Sequence, residues 1–312
     1  MAQTARCAAK FLSSATAFGA GMAAKQGWDL RGEWRSLRER ASPCLGPDVG
    51  QELGGNGSRK LSSTRGAGGT SPTGASSRPL LVLFLGDSLV SGVGGQASAT
   101  ETPAPAALPR HVAAHLAEHM GEVRWASVGI TGADVEHLAR EGLPRLRLRA
   151  AEVVSSLVHS SCSTPRLVVV LVVGANDLRG LRLSYRLRLR QLVHAMSALH
   201  VDVEGIFLPA VALADAPMLQ RYPLRLFLAP LCFLWEREKQ KAISWCHGAE
   251  VLPFPTPPEG TEADAFFSAD RMHPSPVGYE WWAKALAEQI RSRLETRAGQ
   301  AGGCRLDHPT GV

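Results

Sequence analysis

The chain has 312 residues, 45% apolar and 20% charged, which suits one globular domain of about 200–250 residues with extensions. Its net charge of +6 divides unevenly: residues 1–79 carry 11 Lys/Arg against 5 Asp/Glu, and residues 80–312 carry 23 against 23. The basic excess belongs to the N-terminal stretch, so a nucleic-acid-binding role for the remainder loses its electrostatic basis.

The first 28 residues are rich in Ala and Ser, carry Arg6, Lys10 and Lys25, and hold no acid before Asp29. They read equally as an organellar transit peptide or as an unstructured basic tail. Residues 29–41 suit a short helix, and residues 1–44 form a basic N-terminal extension. Residues 45–79 are dominated by Gly, Ser, Thr and Pro. That composition buries too little apolar surface to offset its ordering entropy, so a disordered linker is expected there. Cys7, Cys44, Cys162, Cys232, Cys246 and Cys304 show no C-x-x-C spacing, which favours reduced thiols in an intracellular compartment, plastid or mitochondrion if the extension is a transit peptide. No apolar run reaches the ~18 residues of a membrane span; the nearest, residues 224–235, is interrupted by Arg225 and Pro230.

From residue 80 the pattern alternates. Apolar runs predict strands at 80–86, 123–128, 167–173, 204–209 and 249–254. Helical patterns lie between them at about 105–120, 134–141, 148–160, 181–200 and 224–246, with a last helix at 276–297. Ser275 is placed to cap that helix, with Pro276 in its first position. Alternation of this kind predicts a three-layer α/β/α domain over residues 80–297, with a five-stranded parallel sheet in flavodoxin-like order. Residues 298–312 form a C-terminal tail.

The ends of those strands carry the chemistry. Gly86-Asp87-Ser88-Leu89 follows the first strand, so Ser88 opens onto the crevice where such sheets bind ligands. A serine becomes a nucleophile when a base takes its proton and an acid orients that base. His273, three residues after Asp270 and just before the last helix, is the best base, and Asp270 the best orienting acid. The Asn176 side-chain amide and the backbone N–H of Gly132, after the third and second strands, can donate to an oxyanion. Asp87 and Asp177 beside these positions are expected to bond loop backbone.

In these four blocks the chain resembles the SGNH, or GDSL, hydrolases. Gly86-Asp87-Ser88-Leu89 resembles the first block, Gly129-Ile130-Thr131-Gly132 the second, Gly174-Ala175-Asn176-Asp177 the third, and Asp270-Arg271-Met272-His273 the last. The resemblance covers roughly residues 80–292. It implies Ser88, Asp270 and His273 as a catalytic triad and Ser88, Gly132 and Asn176 as the oxyanion hole. It implies ester or thioester hydrolysis with no metal and no organic cofactor. Ala133 stands where the family often has Asp or Asn, and Asp134 follows.

The substrate class is a small-molecule, lipid or carbohydrate ester, and the expected partners include no nucleic acid and no membrane span; the expected state is a monomer. Acyl transfer to another acceptor, and a silent binding domain, stay open as alternatives. The arginines of residues 181–200 are read as a solvated face paired with acids elsewhere. His111, His115 and His119 form a helical stripe without the carboxylate pattern of a metal site. Gly92-Val93-Gly94-Gly95 is read as a flexible rim. The Leu- and Phe-rich residues 209–245 are either a packed helix or an apolar wall for an acyl chain.

Overall fold

The apolar run at residue 80 becomes a strand buried along its whole length, because helices cover both of its faces. The structure is a computed structural model and describes residues 20–26, 29, 49–52, 78–95, 107–161, 164–180, 183–199, 203–211, 213–260 and 262–303. Its strands are β1 (Val49–Glu52), β2 (Leu80–Gly86), β3 (Val123–Gly129), β4 (Arg166–Val172), β5 (Val203–Pro209) and β6 (Ala249–Leu252). The helices flanking the sheet are α1 (Ala107–Met120), α2 (Leu143–Ser161), α3 (Ala175–Arg179), α4 (Tyr185–Ser197), α5 (Leu224–Ile243) and α6 (Pro276–Gly303).

The sheet order is β1-β3-β2-β4-β5-β6. Strands β2 to β6 are parallel neighbours in flavodoxin-like order, as the alternating pattern predicts. Side chains alternate across the sheet with a period of two. Leu80, Val82 and Phe84 therefore pack with Val168, Val170 and Val172 against α1 and α6. Leu81, Leu83 and Leu85 pack with Leu167, Val169 and Leu171 against α2, α4 and the C-terminal part of α5. Trp282 lies in the first core, and Trp281 packs on its margin against Phe254 and Phe266.

Four differences from the sequence reading have physical causes. Val49–Glu52, inside the expected linker, pairs antiparallel with β3 from Val49↔Ala126 to Glu52↔Val123. An open sheet edge offers unpaired N–H and C=O groups, which backbone of almost any composition can meet. Of the rest of 45–79, only residues 78 and 79 are described; most of residues 1–44 and all of 304–312 also lie outside the described residues. The two helices expected at 134–141 and 148–160 are nearly continuous, through Val135–His137 and a π turn at Leu138–Gly142 into α2. Pro144 has no N–H to give the turn before it, and the wider π turn just ahead of it is where the ladder takes up that loss. Helix α6 runs to Gly303, past the expected end at 297; Ala298, Gln300 and Ala301 are good helix formers, and glycines close it. Gly92 to Gly95 do not form a rim: buried Val93 accepts a hydrogen bond from Tyr279 Oη at 2.9 Å, and a Cβ on Gly94 would lie 2.7 Å from the Pro274 carbonyl oxygen.

The cap at α6 forms as expected, with Gly278 N donating to Ser275 Oγ at 3.1 Å. Of the arginines of α4, Arg186 meets Glu238 and Arg188 meets Glu136, acids of neighbouring elements, while Arg190 lies over the Trp245 ring. Arg182 lies outside the described residues.

Candidate active site

Register brings the strand-end loops together. Gly86 is level with Gly129 of β3 and with Val172 of β4, so the loops carrying Ser88, Gly132 and Asn176 leave the sheet at one height. Close approach of the first two loops requires glycine at 129, where a Cβ would lie 2.3 Å from Ser91 N. Ile130 N donates to the Gly86 carbonyl at 2.9 Å, and the Ser91 and Thr131 hydroxyls meet at 3.0 Å. Gly132 has φ 75, a left-handed conformation that suits a residue without Cβ.

Ser88, 7% exposed, lies with its Oγ 2.9 Å from His273 Nε2. His273 Nδ1 lies 2.6 Å from Asp270 Oδ2. A carboxylate can only accept, so Nδ1 carries the ring proton and Nε2 is left to accept the Ser88 hydroxyl proton. Asp270 Oδ1 accepts from His273 N and Met272 N at 2.9 Å each, and from Ser268 Oγ at 2.7 Å. Burial opposes charge on this carboxyl, but the bonds and charge of His273 and the two amides hold it well below the usual carboxylate range. Asp270 is therefore an anion throughout the neutral range.

The loop that aligns acid and base is tight. Phe267 and Pro274 form a β-bridge, Ser268 N donates to the His273 carbonyl at 2.8 Å, and Arg271 takes φ 58. A non-glycine residue there is strained, a cost met by the bonds around it. Met218 N donates to the Arg271 carbonyl at 3.1 Å, tying the segment before α5 to this loop.

Asn176 stands in the first turn of α3, with Nδ2 donating to Asp87 Oδ2 at 2.9 Å. That bond fixes the amide plane and leaves its second N–H for another acceptor. Asp87 also accepts from Leu89 N at 3.1 Å, and Asp177 accepts from Val135 N, as expected for acids that bond loop backbone. Asp134 caps the turn after Gly132 by accepting from His137 N at 2.9 Å. Burial pushes the Asp87 carboxyl up to about 6, against the opposing pull of the Leu89 amide, His273, Lys239 and Asn176.

Lys239 is the residue the sequence reading missed. It is fully buried and donates to the Pro209 carbonyl at 3.1 Å and to Glu236 Oε1 at 2.9 Å. Its Cε lies 3.7 Å from where a Cβ on Gly174 would stand, below the loop that carries Asn176. A signal was present: Lys239, Ala242 and Ile243 share one helical face at i, i+3 and i+4, and a lysine on an apolar stripe asks for a buried partner. His111 and His115, by contrast, reach Glu280 of α6 and tie two surface helices together. Among the described residues no group of three or more His, Cys, Asp or Glu could hold a metal ion.

A parallel sheet covered by helices on both faces, with serine, histidine and aspartate brought together at its carboxyl edge, is a three-layer α/β/α hydrolase architecture of the SGNH type. A family model for the GDSL-like lipase/acylhydrolase family matches residues 84–281. The chain belongs to that family and acts on ester bonds. A comparison with curated proteins returns no match. Among solved structures, an acetylxylan esterase from Geobacillus stearothermophilus is 19% identical with a TM-score of 0.42, over 68% of this chain and 94% of that one. A family 3 carbohydrate esterase from Clostridium thermocellum is 15% identical with a TM-score of 0.47, over 71% and 100%. The native aryl esterase of M. smegmatis is 18% identical with a TM-score of 0.42, over 68% and 99%.

Proposed function

We propose that this chain is a serine esterase that cleaves a carboxylic ester through an acyl-enzyme. The observation that carries this reading is the unbroken line Ser88 Oγ, His273, Asp270, at 2.9 and 2.6 Å. Ser88 Oγ attacks the acyl carbonyl carbon while its proton passes to His273 Nε2. The imidazolium so formed is stabilised by Asp270, which is already ionised. The carbonyl oxygen takes up the negative charge, and the backbone N–H groups of Ser88 and Gly132 with the second N–H of Asn176 are the donors for it. Collapse of this intermediate breaks the ester C–O bond, and the alcohol leaves with the proton from His273. Water then attacks the acyl-enzyme, giving one proton to His273 and releasing the acid, and Ser88 recovers its proton.

Hydrolysis of short-chain nitrophenyl esters by the wild type and by Ser88→Ala tests the proposal. Turnover in the variant should fall to background with unchanged circular dichroism. Undiminished turnover would refute it. An alcohol added to the same assay reports the fate of the acyl group, and an ester product in place of free acid would reassign the enzyme to acyl transfer.

A further inference from the structure

Lys239 stands where the mechanism gives it no task. It is a fully buried cation on α5, held by the Pro209 carbonyl at 3.1 Å and by Glu236 Oε1 at 2.9 Å. Burying a charge is costly even when it is paired, and apolar residues of similar volume often serve a fold as well. The place of this one is specific. Its Cε lies 3.7 Å from where a Cβ on Gly174 would stand, and the Tyr185 hydroxyl lies 3.0 Å from the same point. Gly174, with φ 123, is the cap from which α3 and Asn176 start. Lys239 and Tyr185 are therefore the floor of the loop that presents Asn176.

Asp87 is the link from that floor to the reacting centre. Its Oδ1 accepts from Leu89 N at 3.1 Å and its Oδ2 from Asn176 Nδ2 at 2.9 Å. A carboxylate can only accept, so it keeps the amide nitrogen of Asn176 facing it and leaves the second N–H for the carbonyl oxygen. A protonated Asp87 would carry an O–H. The amide meets that O–H by turning its own oxygen inward, and its nitrogen then swings away from the carbonyl oxygen. Burial works against the charged form of Asp87, and His273 and Lys239 are the cations that favour it. The remaining charged groups at this floor are Glu236 of α5 and Asp177 of α3. Burial and both of these acids push the Tyr185 hydroxyl well above the usual tyrosine range, so it stays neutral.

We infer that Lys239 is a positioning residue for the oxyanion donor: its ammonium holds Asp87 as a carboxylate, and that carboxylate holds Asn176 in the pose that donates. This role rests on the esterase reading of the site and adds to it a residue that touches neither the triad nor the substrate. Lys239 acts through its charge, so its removal is read in a pH profile. A lysine that only filled space would, once removed, lower activity equally at every pH.

The test is kcat and KM of the full chain for a soluble short-chain ester, from about pH 5.5 to about pH 8.5. In Lys239→Met the acid limb of kcat should move up by about one pH unit. With Asp87 at about 6 in the wild type, that is a loss of about threefold near pH 6.5. By about pH 8.5 kcat should match the wild type, which shows that the variant folds, and KM should be unchanged throughout. Glu236→Gln keeps an acceptor for Lys239 but removes the opposing charge, so its limb should move down. It decides alone if Lys239→Met does not fold. In an Asn176→Ala background Lys239→Met should no longer move the limb, because the donor that Asp87 positions is gone. The inference is overturned if the limb stays in place in the single variants, or if kcat falls equally at every pH. It is also overturned if the shift persists in the Asn176→Ala background, which would route the charge through His273. Activity that survives Ser88→Ala is a separate outcome, and it fails the esterase reading itself.

Discussion

Asp87 makes a prediction about stability that is independent of catalysis. Its carboxyl is buried between the Leu89 amide and Asn176, and burial pushes it from 3.8 up to about 6. An acid whose pKa rises on folding favours the folded state while both states are protonated, below 3.8. That contribution is lost as pH rises through about 6. Over the full range the loss is about 3 kcal/mol. Between pH 5 and pH 7.5 the same relation gives a loss of about 1.4 kcal/mol. Asp87→Asn removes the titrating group, so the stability of the variant relative to the wild type should rise by that amount across this interval. Asp270, held low, is ionised throughout the interval and adds no slope to it. Urea unfolding of both proteins at a series of pH values measures the difference directly. A difference that stays flat, or that moves in favour of the wild type as pH rises, would refute the reasoning that Asp87 is a desolvated carboxylate.

Two further predictions follow from the groups around Asp87. Asn176→Ala should reduce kcat by about 10²–10³ with little change in KM, because it removes a donor used when charge forms on the carbonyl oxygen. Steady-state kinetics check this, and a change confined to KM would assign Asn176 to substrate binding instead. Lys239→Met removes a buried charge from Glu236 and the Pro209 carbonyl, and should cost about 1–3 kcal/mol in urea unfolding. It also removes a cation that helps hold Asp87 down, so the pH at which Asp87 titrates should move upward. An unchanged titration would place Lys239 outside the electrostatics of the site.

Much of this arrangement was legible in the residues because it is local or periodic. The run from Leu80 to Leu85 announces a strand covered on both faces, and five such runs alternating with helical patterns leave few topologies for a parallel sheet. Asp270 and His273 are three residues apart, so a single turn suffices to join them, and Arg271 at φ 58 is the residue that makes that turn. What the residues hid is long-range or carries no apolar signature. Val49–Glu52 is held by backbone pairing to β3, which four residues of mixed character announce poorly. Lys239 is marked by the apolar face it shares with Ala242 and Ile243, but its partner, the Pro209 carbonyl, is 30 residues away and shows only once α5 is seen to turn that face inward. The gap expected between the helices at 134–141 and 148–160 is itself helical: the chain passes through Gly142 and Pro144 as a π turn that runs on into α2. The Leu- and Phe-rich segment after β5 divides: Ala216, Met218 and the last turns of α5 are packed, and the N-terminal half of α5 turns Leu226, Phe227 and Phe233 outward.

The central claim is that Ser88 is a nucleophile activated by His273. Intact-mass and peptide mass spectrometry after treatment with a fluorophosphonate test it most directly, since the reagent phosphonylates a serine only when a base draws off its proton. The account predicts a single adduct on the peptide containing Ser88, abolished in Ser88→Ala and strongly slowed in His273→Ala. An unmodified Ser88, or an adduct that persists in Ser88→Ala, would contradict it.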